Sequence, residues 1–397
     1  MRILFVALDV PYPADRGQRM RTWSILQALN AEGHEINLVS FCAPEDMGRD
    51  GGEMARVCAR VDLVPAGPAA GGPRVRRTFG RLRGLLSAVP YGAWRFRSPA
   101  FQEHVHRRLR ETRPDLVVWD DTYNLENLRD IAGVPVVLNN HDIVQVIWRR
   151  YLDVERQPLK RAYAANELRK LRRWEAAAYR RVSAIWAASP HDAELLEEMC
   201  PGMPVTVVPN AVDVHSYKAT TTDDGVGVVF TGGMDWFPNR DAVEFFAGAV
   251  LPELRARVPA ARFMVVGRPP NDRLRRRMEA SGVSFLGRVE DVRPVVSAAA
   301  VSVIPLRIGS GTRLKILEAA ALGKPMVSTR LGAEGLTFTD GSEIALADEP
   351  AALATAVADL LERPAARAAM GAAARRRVEE EYSFEALRSA LRKALGR

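Results

Sequence analysis

Short apolar runs, each closed by turn residues and followed by a stretch of helical period, recur along the whole chain. That alternation restricts the fold to parallel sheets with helices on both faces. The runs of the first half are ILFVAL from Ile3, EINLVSF from Glu35, DLVVWD from Asp115, PVVLNNHD from Pro135, SAIWAAS from Ser183 and VTVVPN from Val205. Between them lie RTWSILQALNAEGH, a helix expected to stop at Gly33, and a helical stretch from Arg161 to Arg180. A polar segment from Thr220 to Gly225 interrupts the pattern, which then restarts with VVFTGG and continues through RFMVVGR, VSFLGR, VSVIPL and PMVSTR. Helices are expected around Ala242 to Arg257, up to Ala280, and from Thr312 to Leu322.

With 397 residues, one core is improbable and two are expected, since domains run to roughly 100–200 residues. The boundaries expected are 1–213 for a first Rossmann-like domain, 214–380 for a second, and 381–397 for a terminal helix. That helix carries Phe384, Leu387, Leu391 and Leu395 on one face and is expected to pack back on the first domain. The fold class is α/β, two doubly wound parallel sheets. Ligands of such sheets sit beyond the carboxyl ends of the strands, and two sheets facing each other would share a central cleft.

Apolar residues are 47% and charged ones 26% of the chain, which excludes wholesale disorder and fibrous repeats. The apolar run at Ile3 is too short for a signal peptide, and nothing approaches the roughly 18–20 apolar residues of a spanning helix. Cys42, Cys58 and Cys200 form no C-x-x-C. A reducing cytoplasm without a structural metal is therefore expected. The net charge of +8 is concentrated in RVRRTFGRLRGLLSAVPYGAWRFR, Arg74 to Arg97. This stretch is either a peripheral contact with an anionic membrane at its inner face, a contact with a phosphorylated acceptor, or a solvated helix face. No helix-turn-helix, RNP or zinc-finger pattern points to nucleic acid.

Three segments carry chemistry. Gly17, in PYPADRGQRMR, stands directly before the first helix, where a glycine lets backbone amides approach a phosphate; the plainer reading is a turn glycine. It is not part of a G-x-G-x-x-G, so no dinucleotide cofactor is expected. His141 ends a strand and can hydrogen-bond a sugar hydroxyl or share a proton, unless it is simply packed in its loop. The other five histidines are expected at the surface or at caps. PLRIGSGTRLKILEAAALGKPMVST, from Pro305 to Thr329, joins a strand to a helix through Gly309-Ser310-Gly311. Its Glu318 is either solvated or placed to accept hydrogen bonds from ribose hydroxyls.

With ADRG at Gly17, the strand-end His141, VTVVPNAVD, FTGGM, FLGRVEDV and GTRLKILEAAALGKPMVST, the chain resembles family 4 of the glycosyltransferases over nearly its full length. GGMDWFPNRDAVEFF and PYPADRGQRMR carry a weaker likeness to the exopolysaccharide branch. The resemblance implies a GT-B fold, retention of anomeric configuration, and a nucleoside-diphosphate sugar as donor, UDP before GDP. It implies donor-phosphate contact at Gly17, catalytic support from His141, base contact near Arg288 and Val289, and ribose contact by Glu318. It implies no cofactor and no metal. Two departures stand out. The family's E-x7-E pair has Ser310 in place of its first acid. The arginine and lysine that usually follow the opening strand of the second domain are replaced by Gly233 and Asn239, leaving Gly233 as a donor-side position without a cation.

Compensation is expected from Arg313 and Lys315, cations in the first turn of a helix, where a bound anion would turn their repulsion from the helix dipole into attraction, unless both side chains simply curl outward into water. With the amides of Gly311 and Thr312, they would hold the diphosphate. The expected reaction is transfer of a sugar to a hydroxyl acceptor, either a lipid-linked glycan or a small molecule. A sugar-nucleotide epimerase, a phosphorylase and a non-catalytic nucleotide-sugar-binding subunit remain open on the same fold.

Overall fold

The computed structural model describes residues 1–49, 52–65, 87–129, 131, 133–219 and 223–396. Residues 74–86 of the basic stretch and Thr220 to Thr222 of the polar segment lie outside the described residues. The chain forms two compact units, one of Met1–Asn210 with Leu387–Arg397 and one of Ala211–Ala386.

The first unit is built on seven strands, β1 (Arg2–Ala7), β2 (Glu35–Cys42), β3 (Arg60–Pro65), β4 (Leu116–Asp120), β5 (Val136–Asn139), β6 (Ala184–Ala187) and β7 (Val205–Val207). They lie in the order β3-β2-β1-β4-β5-β6-β7, every pair parallel. The order reverses between β1 and β4, whose register aligns Phe5 with Val118. This is where an open parallel sheet opens a crevice at its carboxyl edge. Ile3 to Ala7 and Val117 to Trp119 are wholly buried, which explains why these strands read as unbroken apolar runs.

The second unit has six, β8 (Gly227–Thr231), β9 (Arg262–Val266), β10 (Val283–Gly287), β11 (Val301–Ile304), β12 (Met326–Ser328) and β13 (Ala345–Leu346), in the order β10-β9-β8-β11-β12-β13. Again all pairs are parallel, and the reversal lies between β8 and β11.

Several helices differ from the sequence reading. The first spans Gly17–Ala31, starting four residues before Arg21. Gly17 is thus its first residue and not the loop residue ahead of it. The helix after β8 runs from Phe237 to Arg257 and contains a π-helical turn over Phe246–Val250. The helix after β11 covers Leu314–Ala321, so Thr312 and Arg313 lie before it; Arg313 has φ −96° and ψ 98°, an extended conformation. His34 is buried, with Nδ1 3.3 Å from the amino terminus, and is no surface residue. The terminal helix Phe384–Ala394 buries Leu387 and Leu391, and its Arg388 and Arg392 bond Glu32 at the end of the first helix. Cys42, Cys58 and Cys200 are buried thiols, and Cys42 Sγ donates to Ala43 O. Among the described residues no helix is long and apolar enough to cross a membrane, and no group of His, Cys, Asp and Glu could hold a metal ion.

Candidate functional site

At the carboxyl edge of the first sheet, β4 ends in Asp120 and β5 in Asn139, two residues before His141. His141 Nε2 lies 2.8 Å from Asp120 Oδ1. Asp120 also accepts from Asn139 Nδ2 (2.6 Å) and from Thr22 Oγ1 (3.0 Å) of the Gly17 helix. An ionised carboxylate can only accept, so Nε2 carries its proton and Nδ1 is the ring atom left for a ligand. Burial opposes a charge on the ring, yet the attraction and hydrogen bond of Asp120 outweigh it and hold the pKa above the ordinary histidine value.

Arg21 is the unexpected member of this edge. It is 2% exposed and forms no ion pair among the described residues; Nε donates to Asn139 Oδ1 (3.1 Å) and Nη1 to Val208 O and Asn210 Oδ1. Burial pushes its pKa down to about 10. Through Asn139 it fixes the residue that fixes Asp120. Next to Asp120, Asp121 has φ +73°, an uncommon region for a side chain of any size, and accepts from Tyr123 N and from Gln18 Nε2 (3.0 Å). Burial raises the Asp121 carboxyl to about 6. The Gly17 helix and His141 therefore meet at one pair of carboxylates. The loop before Gly17 is anchored by Arg19, which is 1% exposed and bonds Asp9 twice at 2.9 Å and Asp46 at 2.5 Å.

In the second unit, β8 is followed directly by Gly232-Gly233. The Lys315 ammonium sits 3.9 Å above the Phe230 ring and donates to Asn239 Oδ1 at 3.0 Å. Asn239 in turn donates to Gly233 O. Gly232 has φ +153°, and a Cβ there would come within 3.0 Å of Lys315 Nζ and 2.7 Å of Asn239 Nδ2. The glycine is what leaves room for the ammonium. Among the described residues Lys315 makes no ion pair, and burial together with nearby Arg313 outweighs the attraction of Glu318 and pushes its pKa down to about 7.

Arg313 does not stand beside it as a second open cation. Its guanidinium is buried and donates to the carbonyls of Ser310 (2.5 Å) and Gly311 in its own loop. A Cβ at Gly309 would fall 2.7 Å from Arg313 Nη2, so the glycines make room for this inward turn. The expectation of two cations in a first helical turn is thus corrected: Arg313 shapes the Gly311-Thr312 loop, and Lys315 alone points to the strand ends. Gly311 itself has φ +69°, the left-handed region glycine tolerates.

Glu318, one turn beyond Lys315, accepts from Tyr217 Oη at 2.9 Å, and burial raises its pKa. Tyr217 lies under the Arg293 guanidinium, 5.7 Å from the ring centre. Arg288 is exposed and Val289 half-buried just after β10, and Gly267 N donates to Gly287 O, drawing the ends of β9 and β10 together. Sequence reasoning missed Asp120, Thr22, Arg21 and Tyr217. Only Asp120 left a signal, as one of two acids closing the strand DLVVWD.

Residues 16–216 match the family model Glycosyltransferase Family 4, and residues 225–363 match Glycosyl transferases group 1. A GDP-mannose-dependent monoacylated alpha-(1-6)-phosphatidylinositol monomannoside mannosyltransferase of Corynebacterium glutamicum is 31% identical over 147 residues, covering 34% of this chain and 39% of that relative's length. Sucrose-phosphate synthase from Thermosynechococcus elongatus superposes with a TM-score of 0.76 at 19% identity, covering 100% of this chain and 98% of that one. Anabaena HepE in complex with UDP gives 0.67 at 15% identity, with 100% of each chain covered. At these identities the solved structures speak for the fold, which is GT-B.

Proposed function

The chain belongs to glycosyltransferase family 4, and from that premise we propose that it moves a sugar from a nucleoside diphosphate to a hydroxyl acceptor in the cytoplasm, retaining the anomeric configuration. The observation that carries the proposal is Lys315: a half-buried cation that makes no ion pair among the described residues, seated on Phe230 and held by Asn239 at the carboxyl edge of a doubly wound sheet. Burying a cation without an anion is costly, and a diphosphate is the anion this edge is built to receive. The Gly309-Ser310-Gly311 loop, held in shape by Arg313, brings backbone amides to the same place. Glu318, positioned by Tyr217, accepts from ribose hydroxyls.

In a retaining transfer of this kind, the departing diphosphate accepts the proton of the attacking hydroxyl, so no carboxylate nucleophile is required. The protein's contribution is electrostatic. Lys315 neutralises charge developing on the leaving group, and His141, with Nε2 committed to Asp120, offers Nδ1 to the reacting sugar. The missing first acid at Ser310 is consistent with a ribose contact carried by Glu318 alone. UDP is the first base to try. GDP is the second, since the Corynebacterium relative uses GDP-mannose.

The test is thermal stabilisation by UDP, GDP, dTDP and ADP and by their sugars, followed by product analysis. A specific ligand at about 100 times its Kd adds roughly 2.7 kcal/mol. The expected products are a free nucleoside diphosphate and a glycosylated acceptor. An epimerised sugar, or tight binding without turnover across acceptors, would refute transfer.

A further inference from the structure

The helix Pro158–Tyr179 sorts its charges by sign. Its two acids point inward, Glu167 being 2% and Glu175 0% exposed. Glu167 accepts from Tyr91 N and pairs with Lys170, while Glu175 accepts from Val144 N and Gln145 N, capping the helix that follows His141. The exposed charges are all cationic. Arg169, Arg172, Arg173 and Arg180, just past the helix end, recur at spacings that put them on one stripe, filled out by Ala162, Ala165 and Ala177. Among the described residues Arg172 and Arg173 have no hydrogen bond or ion pair, and Arg169 bonds Asn166 of its own helix. Like charges on one stripe repel, and the two acids able to relieve them are buried.

At the start of the same helix, Leu159 is 88% exposed. Arg156, Lys160 and Arg161 surround it in sequence, all exposed; Lys160 pairs with Glu155 at 3.5 Å and Arg161 donates to the carbonyls of Leu152 and Glu155, so the collar is held close to Leu159 while keeping a net positive charge. An apolar prong in a cationic collar, continued by an arginine stripe, matches a surface that offers anionic headgroups over an apolar interior. A nucleic acid would satisfy the arginines and leave the leucine unexplained. We propose that the arginine stripe of this helix, with Leu159 at its tip, docks the first unit on an anionic phospholipid surface. Because Glu175 caps the helix that begins three residues after His141, the docking element and the His141 edge are fixed to each other. Leu159 stands sixteen residues from Glu175, about 24 Å along the helix axis. The proposal is independent of the transfer chemistry and is read without donor or acceptor.

The experiment is flotation of the full chain with vesicles of phosphatidylcholine alone and of phosphatidylcholine with phosphatidylglycerol, at low and high salt. Binding to the anionic vesicles that weakens with salt is expected, with none to the neutral ones. At roughly fivefold per surface cation, the triple variant Arg169→Ser, Arg172→Ser, Arg173→Ser should bind about 100-fold more weakly. Leu159→Ser should lose about tenfold at high salt as well as low, a signature that charge alone does not produce. These residues are exposed, so an unchanged thermal melt accompanies the loss. Parent and triple variant binding equally, binding equal on both vesicle types, or tighter retention by a 20-nucleotide RNA than by the anionic vesicles would each overturn the proposal.

Discussion

Replacing Lys315 by Met keeps most of the side chain's length and its packing on Phe230 while deleting the charge. In the free chain the amine has a pKa of about 7 against an ordinary 10.5, because burial and Arg313 disfavour the ammonium. At pH 8, about nine-tenths of the molecules therefore carry it neutral. A diphosphate placed against Nζ favours the charged form and moves the pKa back up. The sign follows: the ligand-free group is depressed and the bound group raised, so binding takes up a proton, and affinity falls as pH rises from about 7 toward the pKa of the complex. The expected uptake on binding UDP at pH 8 is about 0.9 proton, with affinity about fivefold weaker than at pH 7.

Titration calorimetry at pH 8 in two buffers of different ionisation enthalpy measures the uptake directly, and the ligand's terminal phosphate, with a pKa near 6, is already ionised there. In Lys315→Met the uptake should vanish, and UDP should bind more weakly by roughly 1.5–3 kcal/mol, about 10- to 150-fold in Kd. Uridine, which lacks the phosphates, should bind both proteins alike. Absence of proton uptake by the parent, or undiminished UDP affinity in the variant, would refute the assignment of Lys315 to the diphosphate.

On the proposed role, in which His141 contacts the reacting sugar, His141→Ala should reduce turnover by about 10²- to 10⁴-fold while changing donor affinity only a few-fold. Asp120→Asn removes the attraction that holds the His141 pKa above normal and leaves the repulsion of Arg21, so the limb of the pH–rate profile that reports His141 should move to lower pH; an unmoved limb would detach Asp120 from it. In the second unit, a Cβ at Gly371 of the helix Pro364–Glu381 would fall 1.9 Å from Gly323 O, a backbone atom that cannot swing away. Gly371→Ala should therefore lower stability to denaturant by about 1–3 kcal/mol, although helix propensity alone would give a gain of about 1 kcal/mol; a gain would show the contact to be yielding.

The strands were legible because each is buried on both faces, so every residue from Ile3 to Ala7, for example, must be apolar. Helix starts were less so, for one recurring reason. The segment around Arg16 to Arg21 reads as a polar loop, yet Arg19 and Arg21 are buried inside the first helix, with Asp46 and Asn139 as partners 27 and 118 positions away. Local pattern treats a run of arginines as solvated; distant carboxylates and amides are what bring it indoors. The same limit hid Tyr217, which reaches Glu318 across 101 positions, and the inward turn of Arg313, which depends on glycines leaving room for a guanidinium.

The departure at Asn239 carries the point furthest. By position, the family motif has lost a lysine there, and along the sequence that is a missing charge. In space, Asn239 is the hydrogen-bond partner of Lys315, 76 positions later, and its other amide atom holds the turn at Gly233. On the proposed assignment, the charge at this edge of the sheet comes from another helix, and Asn239 holds it by a hydrogen bond. A diphosphate responds to where a charge stands and not to which position in the chain supplies it. Asn239→Lys would then place two ammonium groups within hydrogen-bonding distance of one site, and Lys315, already depressed to about 7, would lose its proton more readily still. Donor affinity would therefore rise far less than a full added charge implies.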